Sequence, residues 1–154
     1  MDALLEELTA GLPDAGQVVR VLVRLLAAAL LGAVIGAQRE RAGKPAGLRT
    51  HMLVALGAAL FVVAAIESGF PEDALARVIQ GMATGIGFIG GGAILKLREE
   101  REITGLTTAA GIWMTAAAGV AAGLGRWGAA ALAVGLTWLI LGALARVEAR
   151  MQKG

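Results

Sequence analysis

The 154-residue chain is 57% hydrophobic with a mean hydropathy of +0.73, and its apolar residues come in long blocks. Soluble domains are usually about 45–50% apolar, and blocks of this length belong to membrane proteins. Having no cysteine and one histidine excludes disulfides, thiolate nucleophiles, zinc–thiolate centres and multi-histidine metal sites. The net charge is only +2 and the cations flank apolar blocks, so a pI of about 9.7 does not indicate nucleic-acid binding.

In chain order, Leu4, Leu5, Leu8 and Leu12 first recur at helical spacing beside Glu6 and Glu7. Residues 1–17 therefore read as a short interfacial segment. No basic run precedes it, so it makes a poor secretory signal and the chain is expected to be uncleaved. Five apolar spans follow, at about 18–37, 52–68, 78–95, 107–124 and 128–145. A helix needs about 20 apolar residues to cross the hydrocarbon core, with about 17 as the lower limit. The second span is short and is expected to borrow residues 49–51 as its first turn. The predicted fold is all-α: a polytopic membrane domain over 18–145, with five transmembrane helices in a glycine-rich bundle. Two parallel helical hairpins are followed by a fifth helix and a cytoplasmic tail, 146–154.

The cations orient this bundle. Arg39, Arg41, Lys44 and Arg49 lie in the first hairpin loop, Lys96, Arg98 and Arg101 in the third loop, and Arg146, Arg150 and Lys153 in the tail. The opposite side carries Arg20, Arg24, Arg77 and Arg126 together with most of the acidic residues. The ten-to-four split puts both basic loops and the C-terminus in the cytoplasm and the N-terminus outside.

An internal repeat appears at a spacing of 58 residues. Gly47-Leu48-Arg49-Thr50 aligns with Gly105-Leu106-Thr107-Thr108, and Gly32 and Ala58 align with Gly90 and Ala116. Each unit is a span inward, a charged loop, a Gly-Leu-x-Thr start and a span outward, so the repeat is parallel rather than inverted. Thr50 and Thr108 stand near helix starts, where a hydroxyl can cap free N–H groups.

In the third span Gly85, Gly87 and Gly90 match the dinucleotide-binding fingerprint. That fingerprint requires a strand before it and a helix beginning at its glycines, so the match is rejected. Glycines spaced by four, Gly81 with Gly85 and Gly87 with Gly91, instead allow close helix approach, which places the third span at the bundle centre. A break near 90–92, with Gln80 or Thr84 lining a polar cavity, is the sharper alternative to plain packing.

A charge at bilayer depth costs roughly 2.5–3.5 kcal/mol on insertion scales, so the cations at the span borders are anchors or a site. Arg39, Arg41 and Lys44 suit headgroup anchoring. Arg49 directly precedes the run from Met52 and should seek a carboxylate, with Glu40 across the hairpin the natural partner. His51 reads as a neutral, hydrogen-bonded histidine at a helix end, with a proton-responsive role as the alternative. Trp113, well inside the fourth span, is expected to pack, whereas Trp127 suits the interfacial belt. The candidate polar site comprises Arg39, Glu40, Arg49, Thr50, His51, Thr107 and Thr108. In it the two hairpin ends meet beneath the glycine-rich end of the third span. Helix starts and Arg49 would suit an anion, a lipid headgroup or Glu40 better than a bare cation. Packing is assigned to Gly81, Gly85, Gly87, Gly90 and Gly91; Gln38, Gln80, Thr84 and Trp113 are further candidates.

Residues 32–40 (Gly-Ala-Val-Ile-Gly-Ala-Gln-Arg-Glu), 46–51 (Ala-Gly-Leu-Arg-Thr-His), 85–90 (Gly-Ile-Gly-Phe-Ile-Gly) and 105–110 (Gly-Leu-Thr-Thr-Ala-Ala), with Trp113, resemble the MgtC/SapB family of bacterial membrane proteins. The resemblance covers roughly residues 20–145. It implies a five-helix inner-membrane domain involved in adaptation to scarce magnesium and, in virulence-associated members, survival inside macrophages. Such members are thought to regulate other membrane machines, including the ATP synthase and phosphate uptake. Gln38 stands where members usually carry an acidic residue, and Gln80 one position before their usual glutamine. The chain is expected to be of the short, membrane-only type, without the soluble C-terminal domain of virulence-type members. The favoured reading is a regulatory membrane module; a small ion or proton transporter or channel is the alternative. No enzyme activity, cofactor, metal centre or nucleic-acid partner is expected. The expected partners are the bilayer and other membrane proteins, with room for a homo-oligomer.

Overall fold

A computed structural model describes residues 14–96, 103–144 and 151. The interfacial reading of the first residues, the cations Arg98 and Arg101, and those of the tail lie outside the described residues.

Five helices match the five spans in order: α1 (Ala15–Arg41), α2 (Leu48–Glu67), α3 (Glu72–Gly92), α4 (Leu106–Gly123) and α5 (Trp127–Leu139). A π-helical turn, Ile140–Leu144, continues α5. Local chemistry sets several of the ends. The Asp14 carboxylate accepts from Gln17 N at 2.7 Å and caps α1. Glu72 and Asp73 favour the positive end of the α3 dipole, and Asp73 pairs with Arg77 one turn on at 2.9 Å. α1, α2 and α4 each stop at a left-handed glycine, Gly43, Gly69 and Gly125. There the next two N–H groups fold back onto the last-turn carbonyls, as in Lys44 N to Arg39 O at 3.0 Å.

Among the described residues, α1, α2, α4 and α5 with its π turn are long and apolar enough to cross a bilayer. α3 falls short, because Arg77 and Gln80 interrupt its first half and its glycines add no apolar surface. The only departure from an all-helical layout there is a two-residue antiparallel ladder in the α3–α4 connection. It pairs Leu95–Lys96 (β1) with Ile103–Thr104 (β2), Leu95 opposite Thr104.

The bundle centre is the α2–α4 contact with α1 laid across it. Ala28, Ala55, Ala59 and Ala122 are fully buried together, and Ile35, Ala118 and Val134 form a second cluster towards α5. The close approaches are made by Gly32 and Gly36 of α1 and Gly119 and Gly123 of α4. A Cβ on Gly32 would stand 2.5 Å from His51 O, and one on Gly123 would stand 2.9 Å from Ala59 O.

This corrects the sequence-based placement of α3 at the centre. A Cβ added at Gly81, Gly85, Gly87 or Gly91 would meet nothing within 4 Å, and only Gly90 is buried, beside Ala109. The same four-residue glycine spacing occurs in α1 and α4, and these two helices hold the small-residue face of α2. Having no neighbour of that kind, α3 packs along the flank, against α4 and part of α2. α3 runs through Gly85, Gly87 and Gly90 and ends near the expected break, at Gly92.

The repeat is visible in the backbone. α2 and α4 start at equivalent residues, Leu48 and Leu106, after the equivalent glycines Gly47 and Gly105. Gly32 lies against His51, and its equivalent, Gly90, lies against the equivalent of His51, Ala109.

Candidate functional site: a buried cationic cluster between the hairpin ends

The last turn of α1 carries Arg39 into the protein, where it is 4% exposed. Its Nη2 donates to Oγ1 of Thr108, in the first turn of α4, and its Nε has no partner among the described residues. Thr108 therefore does not cap its own helix. Neither α2 nor α4 receives a side-chain hydrogen bond from its N-cap residue, since both N-caps are glycine.

The start of α2 is served instead by Glu40, whose Oε2 accepts from Leu48 N at 2.7 Å. This corrects the expected Glu40–Arg49 pair: the tight turn at Gly43 folds α1's last carboxylate onto the next helix start, where free N–H groups and the dipole attract it. Arg49 is exposed, and among the described residues the one ion pair is Asp73–Arg77. Arg49 and Thr50 thus stand apart from the buried cluster.

His51 is fully buried one turn into α2, as expected of a hydrogen-bonded histidine. Its Nδ1 lies 2.7 Å from Thr115 Oγ1, and that hydroxyl donates to Gly111 O at 2.8 Å. Nε2 has no hydrogen-bond partner among the described residues. Gly36 makes this burial possible, since a Cβ there would stand 3.0 Å from His51 Cβ.

Beside Arg39 lies a cavity of about 590 Å³. Gln38, Arg39, Lys44, Thr104, Thr107 and Thr108 form its polar side, and Ile140, Leu141 and Leu144 of the π turn its apolar side. Gln38 donates through Nε2 to Trp138 O at 3.0 Å, while its buried Oε1 has no partner. The two hairpin ends therefore do meet around a polar cavity, beside α5 and its π turn. Among the described residues, no carboxylate lines it and no group of three or more His, Asp or Glu suited to a metal occurs.

Other candidates fall elsewhere. Gln80 and Thr84 are exposed on α3, with Thr84 Oγ1 donating to Gln80 O at 3.0 Å, and the 750 Å³ cavity flanking α3 is lined mainly by apolar side chains such as Leu53, Phe61 and Met82. Trp113 is 50% exposed, so its side chain faces largely outward rather than packing. Thr115 was missed by sequence reasoning, although Thr108, Gly111, Thr115 and Gly119 fall three or four residues apart, on one face of α4.

The chain is also similar in sequence to known proteins. The chain is 45% identical over 136 residues to the protein SrpB of Synechococcus elongatus, covering 81% of this chain and 75% of that one. It is 44% identical over 106 residues to the protein MgtC of Salmonella typhimurium, covering 69% of this chain and 44% of that one. It is 43% identical over 115 residues to YhiD of Escherichia coli, described as a candidate magnesium transporter, covering 69% of this chain and 52% of that one. No solved structure matches. The MgtC family profile matches residues 25–150, a stretch that includes Arg39, His51, Thr108 and all five helices from the middle of α1 onward, and the chain belongs to the MgtC family.

Proposed function

We propose that the chain is a regulatory module of the bacterial inner membrane, linked to adaptation to low magnesium and acting on partner membrane proteins within the bilayer. The single observation that carries this over transport is the charge of the buried cluster. Magnesium takes oxygen ligands, usually one or two carboxylates plus waters. The described residues lining the cavity instead include Arg39 and Lys44 and no carboxylate. A path for a divalent cation would pass a buried positive charge that no described residue of its walls offsets.

Relatives support the link to magnesium: one is named MgtC and one is described as a candidate magnesium transporter. The chain spans about half the length of these two, so their whole-protein activities reach it only as part of this proposal. In the proposed topology α3 also crosses the bilayer, as the third of five spans, the Arg39 end faces the cytoplasm and the N-terminus lies outside. Exposed apolar side chains along the helices, such as Leu30, Phe61, Phe88 and Leu132, suit contact with lipid or partner helices. The description of YhiD favours the second reading, a small ion transporter.

Purified protein in liposomes, assayed with and without a magnesium gradient, separates the two. The regulatory reading expects no protein-dependent flux above that of empty vesicles. Saturable, substrate-specific flux would overturn it.

A further inference from the structure

The cavity beside Arg39 has a chemistry that neither regulation nor transport explains. Arg39 is only 4% exposed, yet it meets no carboxylate among the described residues. Its recorded hydrogen bond is to a neutral hydroxyl, and its Nε is unpartnered. Isolated buried charges are strongly unfavourable unless paired, so such a guanidinium points to an anion.

A second cationic element faces the same space. α4 begins at Leu106 with no side chain among the described residues bonded to its first N–H groups, so these and the positive end of an 18-residue helix face the cavity wall. Gly105 fixes that start. Its φ is +93°, and the Ala93 carbonyl fills the place where a Cβ would be. Lys44 adds a further charge from the α1–α2 turn, and Thr104 and Thr107 add hydroxyls.

Two features narrow the class of ligand. Gln38 gives its amide nitrogen to Trp138 O and leaves its buried Oε1 without a partner among the described residues, an acceptor that a donor-bearing ligand would satisfy. The wall opposite the charges is apolar, made by Ile140, Leu141 and Leu144 of a π-helical turn, a local form that recurs at functional sites. A cavity of about 590 Å³ has room for more than a bare tetrahedral ion.

We propose that this cavity binds a phosphate-class oxyanion that also carries an O–H or N–H donor. Arg39 and the start of α4 hold its oxygens, and Gln38 Oε1 accepts its donor hydrogen. Both hydrogenphosphate and the headgroup of phosphatidylglycerol or phosphatidylethanolamine meet this requirement; the choline headgroup has no donor. This goes beyond the regulatory reading and does not depend on it, so liposome flux and phosphate binding can each fail alone.

The test uses the full chain in phosphatidylcholine nanodiscs. In one arm, thermal unfolding is followed while inorganic phosphate replaces chloride at constant ionic strength. In the other, native mass spectrometry measures lipids retained after exchange into mixed vesicles of phosphatidylglycerol, phosphatidylethanolamine and phosphatidylcholine. A saturable phosphate-dependent rise in Tm identifies the free ion. Selective retention of a donor-bearing lipid over phosphatidylcholine identifies a headgroup.

In either case Lys44→Gln, a change at an exposed side chain, should weaken binding about tenfold, and Gln38→Leu should reduce discrimination against choline. A folded wild type that responds in neither arm overturns the proposal, as does equal binding by wild type and both variants. So does binding that appears only after Glu99, Glu100 and Glu102 are changed together to Gln, because the chain's own carboxylates would then be the occupant.

Discussion

Gly119→Ala, read against Gly85→Ala, tests the assignment of the bundle centre. A methyl group at Gly119 would overlap Ala55 O and stand 2.9 Å from Ala55 Cα, both backbone atoms of α2 that no rotamer change can move. Carbon pairs settle at about 3.5–4.0 Å, so the α2–α4 separation must open by roughly 0.6 Å along this contact. Because Gly123 fits α2 as closely and Gly32 holds α2 from the other side, the opening must spread through three helices. Overpacking of this kind costs typically about 1–3 kcal/mol. At Gly85 the same methyl meets nothing within 4 Å. Both variants gain similar helix propensity, up to about 1 kcal/mol, so the difference between them isolates the packing cost. Reversible unfolding in mild detergent, followed by circular dichroism, should find Gly119→Ala less stable than Gly85→Ala by about 1–3 kcal/mol. Equal stability would refute the assignment, and a more damaging Gly85→Ala would return α3 to the centre.

Three further outcomes follow from the geometry. His51→Ala removes a fully buried ring and its bond to Thr115, and should lower stability in the same assay by about 2–4 kcal/mol, whereas Arg49→Ala at an exposed position should stay within about 0.5 kcal/mol of wild type. Glu40→Ala strips the start of α2 of its acceptor and should cost about 0.5–2 kcal/mol, while Glu40→Gln keeps an oxygen there and should cost less; equal losses would show that charge rather than the hydrogen bond matters. For orientation, a cysteine at Ala42 should resist an impermeant thiol reagent in intact spheroplasts and one at Asp73 should react; labelling at Ala42 would reverse the topology.

The helices could be read from the sequence because their signals are local. Apolar blocks set the spans, and Gly43, Gly69 and Gly125 stop three of them through left-handed turns. Which glycines pack could not be read this way. Gly32 with Gly36, Gly119 with Gly123 and Gly81 with Gly85 share one spacing, and the outcome turns on which helix presents Ala55, Ala58 and Ala59 to them. Arg39, His51 and Thr108 stood out because polar groups at span borders are costly, and the structure brings Arg39 and Thr108 together. The Glu40–Arg49 pair failed because opposite charge near in sequence is a weaker guide than an unsatisfied helix start. Thr115 escaped notice because it is one hydroxyl in an apolar run, and its value depends on His51, which another helix supplies.

The repeat explains why the cationic cavity lies where it does. In the first hairpin the loop residue Glu40 turns back and neutralises the start of α2. The residue equivalent to Glu40 in the second hairpin, 58 positions on, is Arg98, so the repeat carries no carboxylate at that position. What α4 meets instead is Arg39, reaching across from the first hairpin to Thr108. Among the described residues the two equivalent helix starts thus have opposite electrostatics: one is closed by an internal anion, and the other stands beside a buried guanidinium with no carboxylate on it. Such asymmetry adds nothing to stability, because a cation facing a helix N-terminus is repelled by the dipole. An unpaired arrangement of that kind is costly to keep in a bundle otherwise built from alanine and glycine, and an anion in the adjoining cavity would relieve both charges at once.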